Sequence, residues 1–207
     1  MSHRYARICA LVGSAFILGA AGCGPKEEAR SGQVIEGTGQ VAIGGPFTLV
    51  DHHGKTVTQD DFLGRPQLIY FGYSYCPDVC PTALQKMGAA LHMAGEDTAS
   101  YYQPIFISVD TQRDTPAQMA LYVTANGFPK NMVGLSGSPE QMDAAIKAFS
   151  VVAQRRENPD YPKDYTYDHT DLIYLMDEQG QYLAFFTSAD TPAKIAERLV
   201  SYKKTGK

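Results

Sequence analysis

The chain has 207 residues, of which 44% are hydrophobic and 19% charged, and its formal net charge is −4. This composition is typical of a soluble globular domain with a substantial core. The acidic balance and the lack of a basic stripe argue against nucleic acid as a partner, because phosphate neutralisation supplies most of the affinity in such complexes.

An export leader is predicted over residues 1–22. Arg4 and Arg7 form a positively charged n-region. The apolar and small-residue run 8–22 is too short for a membrane-spanning helix of about 20 residues, but it suits the hydrophobic region of a signal peptide. The run ends before Cys23 in a pattern that resembles a bacterial lipobox, although Ala20 stands where Leu is usual. We expect lipidation of Cys23; ordinary cleavage, or retention of the run as an anchor, is the alternative. Each outcome places the folded domain outside the cytoplasm, and the two anchored outcomes place it at a bacterial inner membrane facing the periplasm.

Residues 23–44 are rich in Gly and charge and predict a flexible tether, and residues 45–207 predict one folded domain. The domain opens with a short predicted hairpin, strand 47–50 and strand 56–58. The apolar run 67–73 then predicts a buried central strand.

The remaining elements alternate in type along the chain. A helix is predicted over 82–94 and a second buried strand over 104–109. Three further helices are predicted, each from a hydroxyl residue directly before a proline. This pattern is typical of an N-cap followed by the first helical position. A short strand is predicted between the first two of these helices. The pairs are Thr115-Pro116, Ser138-Pro139 and Thr191-Pro192.

Before the last helix, segments 169–176 and 181–187 predict a β-hairpin. The order of elements favours an α/β thioredoxin-like fold with an additional N-terminal β-hairpin. Residues 154–168 do not fit the minimal fold, and we expect an inserted polar loop directly before the strand that His169 opens.

Two of the four cysteines, Cys76 and Cys80, lie in the predicted domain, so thiol chemistry there depends on this pair. Pro81 favours a helix that begins with Cys80 as N-cap, which places both thiols in an exposed loop at a strand-to-helix junction. The helix N-terminus should then lower the pKa of Cys80. Thiolates bind soft metals and also attack disulfides, so a structural disulfide, thiol–disulfide exchange and metal binding all remain open.

A metal site needs at least a third ligand. Among the histidines of the predicted domain, His52 and His53 are expected in a solvated turn and His92 on a helix surface. His169 is the candidate, because the end of its strand should face the cysteine junction.

Three segments, read together, resemble the Sco/SenC family: residues 70–81 (YFGYSYCPDVCP), residues 106–116 with FISVD and RDTP, and residues 164–170 (DYTYDHT). The likeness spans about residues 41 to 200 in the family's order. Ser74 and Thr111 stand where the family commonly has Thr and Pro, and neither is a proposed ligand.

The resemblance implies a membrane-tethered copper-binding protein that helps to assemble the binuclear copper site of cytochrome c oxidase. It matches Cys76, Cys80 and His169 to the family's copper ligands, a set that suits Cu(I) or Cu(II). Asp78 and Asp168 are candidates for supporting these ligands. We therefore expect a metallochaperone and not an enzyme, with an oxidase subunit and other copper chaperones as partners. A thiol–disulfide oxidoreductase that reduces the target's cysteines is the alternative.

Overall fold

The structure is a computed structural model that describes residues 43–160 and 164–206. The predicted leader, the lipidation of Cys23 and nearly all of the predicted tether lie outside these residues. Among the described residues, no helix combines the length and apolar character needed to cross a membrane.

Nine strands, five α-helices and one short 3-10 helix make up the described part of the chain. The strands are β1 Thr48–Asp51, β2 Thr56–Thr58, β3 Gln67–Gly72, β4 Gln103–Ser108, β5 Val133–Ser136, β6 Ala153–Arg156, β7 Thr166–His169, β8 Ile173–Met176 and β9 Tyr182–Phe186. The helices are α1 Val79–Ala94, α2 Glu96–Ala99, α3 Pro116–Tyr122, α4 Pro139–Ala148 and α5 Pro192–Thr205, and the 3-10 helix is Gln59–Phe62.

Seven strands form one mixed sheet in the order β2-β1-β5-β4-β3-β8-β9. The three strands β3, β4 and β5 are parallel, whereas β8 and β9 on one side and β1 and β2 on the other are antiparallel. This arrangement confirms the thioredoxin-like α/β fold. The N-terminal hairpin extends the sheet, because β1 pairs with β5.

The central strand β3 is buried at all six positions, which explains its unbroken apolar sequence. Successive side chains point to opposite faces of the sheet. Phe71 packs against Phe149 with ring centroids 5.3 Å apart, and Tyr70 stacks on Phe106 at 6.4 Å. Both faces of β3 are therefore packed, and the C-terminal end of this rigid strand leads directly into the cysteine segment.

The three proline-led helices begin where the sequence predicts. The hydroxyls of Thr115, Ser138 and Thr191 each accept a hydrogen bond from the third backbone N–H of their helix. Ser138 also forms a capping box with Gln141. Each cap contributes about 1 kcal/mol of helix stability.

The segment before His169 differs from the prediction. Strands β6 and β7 pair as a separate two-stranded sheet, so the expected inserted loop is partly a hairpin. His169 closes β7 and does not open the following strand, which begins at Ile173. The prediction failed because neither strand is fully buried: the two alternate between exposed and half-buried residues, and their polar sequence resembles a loop.

A buried tyrosine makes the stability of the fold depend on pH in the alkaline range. Burial raises the pKa of Tyr174 from 10.0 to about 12. The unfolded chain therefore loses this proton more readily, so stability should fall as the pH rises from 10 to about 12. Urea unfolding at stepped pH, with tyrosinate absorbance followed in parallel, measures the effect. Tyr174→Phe should make the fall shallower; an equal fall in both proteins would contradict the assignment.

Candidate metal centre

The cysteine segment joins the end of β3 to the start of α1. The helix begins two residues earlier than predicted: Asp78 is the N-cap, and Cys80 lies inside the first turn. Pro81 is tolerated there because the first N–H groups of a helix have no partner within the helix. The prediction of Cys80 as N-cap is therefore wrong.

Both thiols are free and buried, which corrects the expected exposed loop: Cys80 is 0% exposed and Cys76 8%. Gly72 makes this burial possible. A Cβ at that position would lie 2.8 Å from the Cys80 sulfur and 3.0 Å from the ring of Phe106. The end of the central strand thus needs a residue with no side chain to leave room for the thiol.

The structure brings the two cysteines and His169 together. Their donor atoms all lie within 4.8 Å of one another, and His169 Nε2 is 3.2 Å from Cys80 Sγ. The other ring nitrogen, Nδ1, lies 3.1 Å from the carbonyl oxygen of Thr170. Since a carbonyl only accepts, Nδ1 carries a proton, and Nε2 is the ring nitrogen that faces the sulfurs.

The two thiols differ in acidity. A hydrogen bond from the Cys80 thiol lowers the pKa of Cys76, and bonds from His169 and from the backbone N–H groups of Asp78 and Cys80 lower it further against the opposing effect of burial. The same bond, together with burial, raises the pKa of Cys80. The expected low pKa of Cys80 is therefore wrong, because the Cys80 thiol donates to Cys76 and is buried, while the amide at the helix start donates to Cys76 Sγ, 3.4 Å away.

Two tyrosine rings pack against the imidazole of His169. Tyr70 and Tyr73 meet His169 edge-on with centroids 6.0 and 5.9 Å away. Burial would lower the pKa of His169, but hydrogen bonding to Cys76 and to the Thr170 carbonyl outweighs it and raises the pKa. The imidazole is thus held in place on several sides.

The two acidic residues proposed to support the ligands do not contact His169. The Asp168 side chain is 63% exposed and pairs with Arg156 at 2.6 Å. Neighbouring residues of a strand point to opposite faces, so Asp168 faces away from the site while the Thr170 carbonyl takes the orienting role. The side chain of Asp78 is exposed and makes no capping bond, although its amide N–H contributes to the low pKa of Cys76.

The prediction missed the turn that follows β4. The Asp114 carboxylate is 1% exposed and accepts hydrogen bonds from the Ser74 amide at 2.8 Å and the Ser74 hydroxyl at 2.5 Å. The Ser108 hydroxyl is a third donor to it. Residues 106–116, which carry part of the family resemblance, contain this turn. Hydrophobic pattern alone, however, does not predict that a carboxylate in it is buried.

The donor set suits a soft metal ion. Two sulfurs and one imidazole nitrogen match the preferences of Cu(I), whereas Mg²⁺ and Ca²⁺ prefer oxygen ligands. Among the described residues, this is the group of three side chains that meets the distance requirement for a metal site. The fold and the site together define a thioredoxin-like protein with a Cys₂His soft-metal centre at its first strand-to-helix junction.

The chain belongs to the SCO1/SenC family, whose model matches residues 35–204. It is 39% identical to Protein sco1 of Schizosaccharomyces pombe over 176 residues, covering 84% of this chain and 66% of that protein. It is 42% identical to Protein SenC of Rhodobacter capsulatus over 175 residues, covering 84% and 77%. The structure of Bradyrhizobium japonicum ScoI with copper bound is similar, with a TM-score of 0.70 and 45% identity over 78% of this chain and 99% of that one. The Sco family is a family of cytochrome c oxidase assembly proteins.

Proposed function

We propose that this protein is a copper metallochaperone that delivers copper to the binuclear copper site of cytochrome c oxidase. The observation that carries the proposal is the convergence of Cys76, Cys80 and His169, with all donor atoms within 4.8 Å. The copper-bound structure of the related ScoI supports copper as the cargo.

The three ligands differ in access, and this difference suits a carrier that must also release its ion. Cys80 is fully buried, Cys76 is slightly exposed and His169 is half-buried. An acceptor ligand can therefore approach from the side of Cys76 and His169. In such an exchange His169 leaves most readily, because a neutral imidazole binds Cu(I) less strongly than a thiolate does.

The cellular setting belongs to the same proposal. We place the domain on the periplasmic side of a bacterial inner membrane, held there by the predicted leader, the lipid at Cys23 and the tether 23–44. Its partners are the copper-accepting oxidase subunit and the copper chaperones that load it. The supporting observations are the charge and apolar pattern of residues 1–22 and the family membership.

A second candidate is a thiol–disulfide oxidoreductase that reduces the target's cysteines. Cys76 and Cys80 are free thiols in contact with each other, and Cys76 has the lowered pKa of an attacking thiol. A disulfide switch is described for BsSco. This function needs the two sulfurs but not the imidazole.

Replacement of His169 separates the two functions. In a strain that lacks the gene, His169→Ala should fail to restore oxidase activity, because the copper site loses one of three ligands. The same purified variant should still reduce a model disulfide, because it keeps both sulfurs and the Cys80 bond that contributes most to the low pKa of Cys76. His92→Ala, which changes an exposed histidine on α1, is the matched control and should behave as wild type. Full restoration of the oxidase by His169→Ala would instead favour the reductase.

A further inference from the structure

We infer that the turn Asp110–Asp114, between β4 and α3, is a positioning element. It holds the cysteine segment and the β6–β7 hairpin in the relative position that copper binding requires. The inference rests on the proposed copper function and names residues outside the ligand set. The two ligand-bearing segments belong to different sheets, since Cys76 follows β3 of the large sheet and His169 ends β7 of the small one. A connection between them is therefore needed.

One carboxylate of the turn holds the cysteine segment. Asp114 accepts both the amide and the hydroxyl hydrogen bond of Ser74, two residues before Cys76. The same Ser74 hydroxyl accepts from the side-chain amide of Gln118 on α3 at 3.1 Å. Since Asp114 is almost completely buried, losing a donor leaves it poorly solvated, so the contact is costly to break.

The other carboxylate holds the hairpin. Asp110 is 0% exposed and accepts a hydrogen bond from the Tyr165 hydroxyl at 2.8 Å. Arg113 pairs with Asp110 at 2.5 Å. Tyr165 directly precedes β7, so this bond fixes the start of the strand that ends at His169.

Stacking adds to the hydrogen bond and reaches back to the cysteine side. The guanidinium carbons of Arg113 and Arg155 each lie 3.7 Å from the centroid of the Tyr165 ring. Arg113 also lies 4.7 Å from the ring of Tyr75, the residue before Cys76. One side chain of the turn therefore contacts both ligand-bearing segments, which is the arrangement a positioning element requires.

The test is a set of double-mutant cycles in copper affinity, measured by competition with a Cu(I) chelator. Tyr165→Phe should weaken binding roughly 10-fold, within the range typical of residues that support metal ligands. It should have no further effect in a His169→Ala background, because Tyr165 acts through His169. Tyr167→Phe, the same change two residues along the hairpin, should leave the affinity close to wild type.

The second arm examines the cysteine side. Ser74→Ala should weaken copper binding in the wild-type and His169→Ala backgrounds alike, because it acts through the cysteines. Ser74→Thr keeps the hydroxyl and should restore affinity. A metal-free readout accompanies the first arm: Tyr165→Phe should speed hydrogen exchange of the β6–β7 amides without changing that of β3.

The outcomes separate the inference from the proposed function. If wild-type protein binds no copper, the proposed function fails, and faster hairpin exchange in Tyr165→Phe still decides whether the turn holds the hairpin. If wild type binds copper but Tyr165→Phe binds equally well, or loses as much affinity without His169 as with it, the inference is overturned. Asp110 keeps bonds from the amides of Gln112 and Arg113, so the variant is expected to fold.

Discussion

Cys80→Ser is expected to lower the copper affinity of the protein by more than about 100-fold, beyond the 10–100-fold typical for losing a residue that only supports a ligand. Cys80 is the fully buried member of the set and lies 3.2 Å from His169. A serine hydroxyl is a hard, neutral donor and cannot replace a thiolate toward Cu(I). Titration of the reduced domain with a Cu(I)–chelator complex measures the loss.

Two further variants make the result specific. Cys76→Ser should be equally severe, since it removes the more acidic thiol. Val79→Ala changes an exposed neighbour inside the same segment and should bind copper normally. Stoichiometric, tight binding by Cys80→Ser would contradict the three-ligand site, and in that case Cys76 and His169 would have to bind the ion with a ligand from elsewhere.

The sequence was sufficient for the elements that have strong local patterns. The continuous apolar run of β3 and the three hydroxyl–proline pairs each depend on one segment only, and the structure confirms them. The grouping of Cys76, Cys80 and His169 follows from the expected position of the strand end beside His169 and from the family resemblance, and hydrophobic pattern does not predict it. It is a consequence of topology, because the segments that follow β3 and precede β8 meet at one end of adjacent strands.

What the sequence could not provide depends on contacts between distant segments. The hairpin β6–β7 has a polar sequence, and its packing relies on Tyr165 meeting Asp110, 55 residues away. Proximity to a helix start predicts the low pKa for Cys80, whereas the structure gives it to Cys76, because the Cys80 thiol donates to the Cys76 sulfur. Asp168 adjoins His169 in the sequence, but strand alternation turns its side chain toward Arg156.

Gly72→Ala is expected to damage the metal site and the fold together. The added Cβ would lie 2.8 Å from Cys80 Sγ and 3.0 Å from the rings of Tyr70 and Phe106, so a side chain or the strand end must move. Overpacking of this kind costs about 1–3 kcal/mol of unfolding free energy. Since the Cys80 sulfur is the atom nearest to the added Cβ, its displacement should also weaken copper binding.

Gly88→Ala is the matched control for Gly72→Ala, because it overpacks the protein away from the ligands. Its Cβ would lie 2.3 Å from the Gly127 carbonyl, so urea unfolding should show a loss at least as large as that of Gly72→Ala. At a temperature where both variants remain folded, only Gly72→Ala should bind copper more weakly than wild type. If Gly72→Ala loses stability but keeps full copper affinity, then Cys80 tolerates displacement and the space at Gly72 serves packing alone. If both variants lose affinity equally, the weakening follows from general destabilisation and not from contact with the thiol.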